Sequence, residues 1–349
     1  MSDKTGIEWA DATWNPVTGC TKVSEGCRNC YAKTFTERFE GTPGHYFETG
    51  FKVTVRPEKL DQPLRWKRPR RIFVNSMSDL FHPDVPDGYI DQVFAVMALC
   101  PQHTFQVLTK RPERMLEYIT SRRENICESL AFEAPDGQRV IDLLGGEWIP
   151  PQIGEFGRVE IKGYFDNVEI PWPLPNVWLG VSVENQKAAD ERTPLLLQTP
   201  AAVRFLSCEP LLGPVIIPEV FMNRIDWGEG PRDWPDGAGI IDWIIAGGES
   251  GRGARPMHPN WARSLRDQCQ AAGISFFFKQ WGEFGPVNPT GLYDPEYWVT
   301  ESGMAGHFHT SLPTDYEGQI AYMDRDGKKR TGRMLDGRTW DEFPQEGQP

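Results

Sequence analysis

No run of eighteen or more apolar residues occurs in this 349-residue sequence, so no segment is long enough to cross a bilayer as a helix. The first residues, Met1-Ser2-Asp3-Lys4-Thr5-Gly6, lack the apolar core of a signal peptide, which sets the expectation of a cytoplasmic protein with no membrane partner. Basic residues are in deficit, 37 against 49 acidic, for a net charge of −12. A large face that coats nucleic-acid backbone needs the opposite balance. There is no GxxxxGK[ST] phosphate loop, which argues against nucleotide hydrolysis. Internal repeats and low-complexity tracts are also missing. What remains is an ordinary composition, 39% hydrophobic and 25% charged, able to bury a substantial core.

Short runs rich in Val, Ile and Phe, each bounded by turn residues, predict strands. They fall at 71–75, 104–109, 177–183, 203–207, 241–246 and 274–278, with a further strand around Ala12–Asn15. Helical spacing appears between them. Ile90, Val93, Phe94 and Met97 predict a helix over 89–99, and His258-Pro259-Asn260 reads as the start of a helix over 261–272. Alternating strands and helices imply βαβ units and a parallel sheet. Seven such strands predict an α/β fold, a full or partial (βα) barrel, with a flat doubly wound sheet as the alternative. Either places the site at the C-terminal strand ends. Two segments break the rhythm, at about 124–173 and 214–240, and read as loop insertions. The barrel is expected over 1–283. Residues 284–349 are expected to form a C-terminal appendage, compact to about Trp340 and loose after it.

Of the seven cysteines, three lie close together, in Cys20-Thr-Lys-Val-Ser-Glu-Gly-Cys27-Arg-Asn-Cys30-Tyr31. An odd count in a cytoplasmic setting disfavours a disulfide framework. Three thiolates can hold three irons of a [4Fe–4S] cubane and leave the fourth iron open. An open iron is what the cluster needs to bind S-adenosyl-L-methionine (AdoMet) and cleave it reductively into a 5′-deoxyadenosyl radical. Zinc is the competing reading, since Cys27-x-x-Cys30 is a common zinc knuckle. A structural zinc site needs four ligands, however, and no second CxxC exists; His45 would have to serve as a distant fourth. Cys100 and Cys269 lie in helical patterns and read as small core residues.

The segment from Gly6-Ile-Glu-Trp9 through Trp14-Asn-Pro16-Val-Thr-Gly-Cys20 and Cys27-Arg-Asn-Cys30-Tyr-Ala32 resembles a phage- and prophage-associated family of three-cysteine proteins. That family is related to radical AdoMet (radical SAM) enzymes of the spore-photoproduct-lyase type. The resemblance continues through Asn75-Ser-Met-Ser-Asp79-Leu-Phe-His82, Leu108-Thr-Lys110-Arg-Pro112, Gly180-Val-Ser182-Val-Glu184-Asn185, Ser207-Cys-Glu209-Pro210 and Ala246-Gly-Gly-Glu249-Ser250-Gly, and ends near Phe278-Lys279-Gln280-Trp281-Gly-Glu283. It implies a barrel of the radical SAM type, a [4Fe–4S] cluster on Cys20, Cys27 and Cys30, and AdoMet as the second cofactor. Two departures stand out. The usual spacing of three residues and then two is here six and then two. The usual aromatic residue before the last cysteine is Asn29, with Tyr31 after it as the candidate to pack near the adenine.

Polar residues at the strand ends suit a shared cofactor pocket, because alternate strand residues face one side. Asn75 and Asp79 share a face if the strand continues, and Asp79 is the candidate for the AdoMet ammonium. Ser182 with Glu184 or Asn185 is the candidate set for the ribose hydroxyls. The plainer readings are helix capping for Asp79 and Asn185 and barrel packing for Ser182. Gly247-Gly248-Glu249-Ser250-Gly251 offers backbone NH groups to an anion, helped by Arg252 and Arg255, or is simply a turn. Lys110 can meet a carboxylate or phosphate, or be solvated. Glu209 needs a partner such as Lys279 or Arg204. Cys208 can donate a hydrogen atom near a radical, or be a buried small residue.

A nucleobase or nucleotide, in DNA base hypermodification or repair, is the substrate class the relatives suggest, with a flavodoxin- or ferredoxin-like protein as electron donor. The basic stretch Arg56–Arg71 is the candidate strand-guiding surface, or a solvated connection. The rivals are radical tailoring of a small molecule or peptide, and a non-enzymatic iron–sulfur module that binds nucleic acid.

Overall fold

The computed structural model describes residues 5–121, 146–149, 158–161, 172–222, 239–287, 295–308, 310 and 318–344. Fifteen strands are found among them. In chain order they are β1 (Ala12–Trp14), β2 (Val17–Thr18), β3 (Thr54–Val55), β4 (Arg71–Val74), β5 (Thr104–Thr109), β6 (Gly146–Ile149), β7 (Arg158–Ile161), β8 (Val177–Ser182), β9 (Val203–Cys208), β10 (Trp243–Gly247), β11 (Ser275–Gln280), β12 (Gly285–Val287), β13 (Tyr297–Thr300), β14 (Ala305–His307) and β15 (Ile320–Asp324). The helices used below are α1 (Tyr31–Thr36), α2 (Asp87–Ala98), α3 (Pro112–Ser121), α4 (Gln186–Gln198) and α5 (Pro259–Ala272).

Seven strands form one sheet in the order β1-β4-β5-β8-β9-β10-β11. The β1/β4, β4/β5, β9/β10 and β10/β11 ladders are parallel. Each strand adds on the same side of the one before it. A doubly wound sheet would reverse direction at a switch point, and this order never does. The winding is that of a partial βα barrel, with β1 and β11 as its edges. All seven strands coincide with the runs singled out in the sequence.

The chain divides into two compact units. The first comprises Met1–Thr21, Ala32–Leu179 and Thr199–Ala202. Its core is built on Trp14, Ile72, Val74, Phe105 and Val107, all essentially without solvent exposure. Full burial of each such side chain contributes roughly 1.5–3 kcal/mol. Tyr89, Ile90, Val93, Phe94 and Met97 of α2 are buried at the expected spacing. The insertion expected over 124–173 lies mostly outside the described residues; within it β6 and β7 pair antiparallel.

The second unit comprises Lys22–Tyr31, Gly180–Gln198 and Val203–Pro349. Its core includes Leu206, Trp243, Ile244 and the run Phe276–Phe278. Helix α5 begins where the sequence signals it. His258 Nδ1 accepts from the Asn260 amide (3.1 Å), Pro259 takes the first turn, and Gly273 closes the helix at φ +69°. Helix α4 follows Asn185, for which the sequence offered helix capping, and runs through Pro194, a residue that ordinarily breaks a helix. Strands β12-β15-β13-β14 form an antiparallel sheet in that order. The chain then returns to β11: the Phe278 amide donates to Trp340 O (2.9 Å), and Trp243 Nε1 donates to Glu342 O (2.9 Å). Most of the insertion expected over 214–240 lies outside the described residues. Among the described residues no helix is long and apolar enough to cross a membrane.

Candidate functional site

In the first unit the loop after β2 carries Cys20. It is anchored by the Gly19 amide donating to Met77 O (3.0 Å) and the Cys20 amide donating to Phe51 O (3.3 Å). The Cys20 thiol donates to Thr21 O (3.4 Å) and accepts from Arg111 Nη1 (3.5 Å). Arg111 lies two residues past the end of β5. Its Nη1 also donates to Asp79 Oδ2 (2.8 Å), and its Nη2 donates to Thr21 O (3.1 Å) and Thr21 Oγ1 (3.0 Å). Asp79 further accepts from Thr109 Oγ1 (2.7 Å), the Phe81 amide (3.0 Å) and the Lys110 amide (3.1 Å). Burial works against the Arg111 charge, but Asp79 and Cys20 outweigh it and raise its pKa. His82, whose pKa is lowered by burial and then by Arg111, meets Thr21 Oγ1 through Nε2 (2.8 Å).

Asp79 is therefore the counter-ion of Arg111, which the sequence reading passed over within Lys110-Arg-Pro112. Lys110 joins the cluster through its backbone. Asn75 follows β4 at φ +59°, buried, and both polar atoms of its amide lack a protein partner. A non-glycine residue in this conformation with orphaned buried atoms is the kind of position that ligand contacts account for.

In the second unit, Cys27 closes a short 3₁₀ turn, Glu25–Cys27, with Cys30 three residues on. Three contacts pin this loop. Ser24 Oγ donates to Glu184 Oε1 (2.6 Å) and lies 3.8 Å from Cys27 Sγ. Arg255 donates to Glu25 Oε1 (2.9 Å) and Glu25 O (3.3 Å). Asn29 Nδ2 donates to Glu249 Oε2 (3.1 Å) and Gly253 O (2.6 Å). Glu184 and Glu249 are themselves held by cations, Arg192 buried and Arg255 half-buried. Arg192 Nη1 donates to Glu184 Oε2 (2.9 Å), and Arg255 donates to both Glu249 oxygens from Nε and Nη2 (2.8 Å each). The loop backbone sits directly on Glu184, since a Cβ at Gly26 would stand 2.4 Å from Glu184 Cγ.

Glu184 and Glu249 thus act on the two-cysteine loop. Asn185 Oδ1 caps α4, accepting from the Ala188 amide (3.0 Å). Ser182 is buried, and its carbonyl accepts from Arg192 (2.7 Å). Glu209 pairs with Lys279 (2.6 Å), one of the two partners the sequence suggested. Gly248 lies against β11, where a Cβ would come 1.8 Å from Trp281 O, so close backbone approach alone accounts for this glycine. Tyr31 is exposed.

The cysteines divide into two sets. Cys20, Cys27 and Cys30 are half-buried and outside any disulfide. Cys100, Cys208 and Cys269 are fully buried. Burial pushes the Cys100 thiol up to about 12 and raises the Cys208 and Cys269 thiols as well, so these three keep their protons at neutral pH. Cys127 lies outside the described residues. Among the described residues no three His, Cys, Asp or Glu side chains gather round a point that could hold a single metal ion. A cubane would take one thiolate per iron, so it asks for three thiols around one small cluster rather than three donors on one ion. Among the described residues Cys20, Cys27 and Cys30 are the thiols outside the core, a donor set of the chemistry such a cluster takes.

In the basic stretch, Arg65 pairs with Asp61, Arg71 with Asp11 (3.5 Å), and Arg70 lies over the Trp66 ring (4.9 Å). Lys67 and Arg68 are exposed.

No curated protein and no solved structure matches the chain. A family model described as "protein of unknown function (DUF5131)" matches residues 4–344, almost the whole sequence, and the chain belongs to that family.

Proposed function

We propose that the chain is a radical AdoMet enzyme whose Cys20, Cys27 and Cys30 hold a [4Fe–4S] cluster. The observation that carries this reading is the division of the cysteines: the three clustered in sequence are half-buried, and the other three described are sealed in the core. The six residues between Cys20 and Cys27 impose no barrier to joint ligation, since an extended chain covers about 3.3–3.6 Å per residue. Bound to such a cluster, AdoMet supplies a 5′-deoxyadenosyl radical for hydrogen abstraction. The chain's own residues hold the thiols. Arg111, paired with Asp79, meets Cys20, while Glu184, Glu249 and Arg255 brace the loop of Cys27 and Cys30. In the first unit Asn75 has buried amide atoms to offer AdoMet; in the second, the Ser182 hydroxyl and the Tyr31 ring are the candidates. Buried Cys208 retains its proton and suits hydrogen donation better than ligation. A nucleobase or nucleotide, in DNA base modification or repair, is the proposed substrate class, with a flavodoxin- or ferredoxin-like donor.

Anaerobically purified protein is expected to contain about four irons per chain, to lose them when Cys20, Cys27 and Cys30 become Ala, and to keep them when Cys100 or Cys269 does. Reduced protein should release 5′-deoxyadenosine from AdoMet, and phage DNA should increase that release. Stoichiometric zinc without iron would establish the zinc reading instead. With the exposed Lys67 and Arg68 as the phosphate contacts, a slope of roughly −2 in log affinity against log salt is expected for DNA. AdoMet cleavage with no DNA binding would move the substrate to a small molecule or peptide.

A further inference from the structure

The Arg111 guanidinium is a rigid planar fork, and both of its outer nitrogens are committed. Nη2 is fixed by the oxygen pair of Thr21, and Nη1 is shared between Asp79 Oδ2 at 2.8 Å and Cys20 Sγ at 3.5 Å. A planar fork anchored at one end has its other N–H directions set. Asp79 is just as constrained, by a hydroxyl and two backbone amides besides Arg111. Both side chains are about nine-tenths buried, at 10% and 7% exposure, so solvent screens their fields only weakly. A train of fixed charges therefore ends on one sulfur: carboxylate, guanidinium, Cys20.

We propose that the Arg111–Asp79 pair sets the reduction potential of the iron–sulfur cluster through Cys20, with Arg111 as the positioning residue that donates to Sγ and Asp79 as its counter-charge. This rests on the cluster reading above. Reduction adds one negative charge to a cluster. A cation and an N–H donor at a ligand sulfur favour the reduced form and raise the potential, and an anion does the reverse. The two partners thus pull in opposite directions, with the guanidinium nearer the sulfur. A pair that only braced the fold would not produce opposite signs.

The experiment is a dye-mediated reductive titration of the anaerobic protein, followed by electron paramagnetic resonance of the reduced cluster, with iron measured on each sample. Arg111→Gln is expected to lower the midpoint potential and Asp79→Asn to raise it. Should either single variant lose its iron, the Arg111→Gln/Asp79→Asn double variant decides, because it leaves no uncompensated charge; its potential should fall below that of the wild type. Shifts of the same sign, no shift in either variant, or a double variant at or above the wild-type potential would overturn the proposal and leave the cluster reading standing. Wild-type protein that takes up no iron overturns both.

Discussion

Glu184 shows how one carboxylate couples stability to the cysteine loop. It is 1% exposed, paired with Arg192, and accepts from Ser24 beneath the turn that carries Cys27. Removing one member of a buried ion pair strands the other charge, at a cost of about 3–5 kcal/mol. Glu184→Ala should therefore lower stability by that order in chemical denaturation. It should also reduce iron retention, although Glu184 is not a ligand. Glu184→Gln keeps an acceptor for Ser24 and, from the same starting cluster loading, should retain more iron than Glu184→Ala. Iron retention unchanged in both variants would show that the loop holds its shape without this brace.

At the level of elements, all seven strands of the main sheet were legible because they are short, β-branched and bounded by turn residues. Helices α2 and α5 were legible from their 3.6-residue spacing and, for α5, from the His258-Pro259 start. For α4 the sequence offered only its capping residue, Asn185, because the local meaning of Pro194 is a break that the tertiary contacts override. The candidate site was legible as a set of residues but not as a set of pairings. Asp79, Glu184 and Glu249 stood out as strand-end carboxylates, yet Arg111 reaches Asp79 from 32 residues away and Ser24 reaches Glu184 from 160, and no local pattern reports such contacts; Arg192 and Arg255 lie only eight and six residues from Glu184 and Glu249. Glycine gives a test at this scale. Gly248 lies under the Trp281 carbonyl, whereas Gly88, in the first turn of α2, has nothing within 4 Å of its would-be Cβ. Gly248→Ala should lower the melting temperature, because backbone must move to admit the methyl group. Gly88→Ala should be neutral or stabilise by roughly 0.5 kcal/mol, through lost freedom of the unfolded chain. Equal effects of the two substitutions in thermal melts would contradict the packing described at β10 and β11.

For the molecule as a whole, three buried histidines set the acid side of the stability curve. The pKa values of His82, His103 and His258 all lie below the ordinary value of 6.5. Burial is the largest cause in each case, and Arg111 adds to it at His82. A lowered folded pKa means that the unfolded chain binds more protons between the two values. The stability these groups contribute is thus complete above about pH 6.5 and is lost as the pH falls through their folded values. Each can remove up to about 1.4 kcal/mol per pH unit across its window. Melting temperature should therefore be nearly flat from pH 7 to 8 and decline once the pH drops below about 6.5, well above the carboxylate range. His258 allows one contribution to be isolated, because its role as the α5 cap can pass to asparagine, a preferred capping residue. His258→Asn should melt close to the wild type at pH 7.5 and decline less steeply between pH 6.5 and 5. A variant that falls as steeply as the wild type over that range would mean that His258 does not titrate on unfolding as its burial requires.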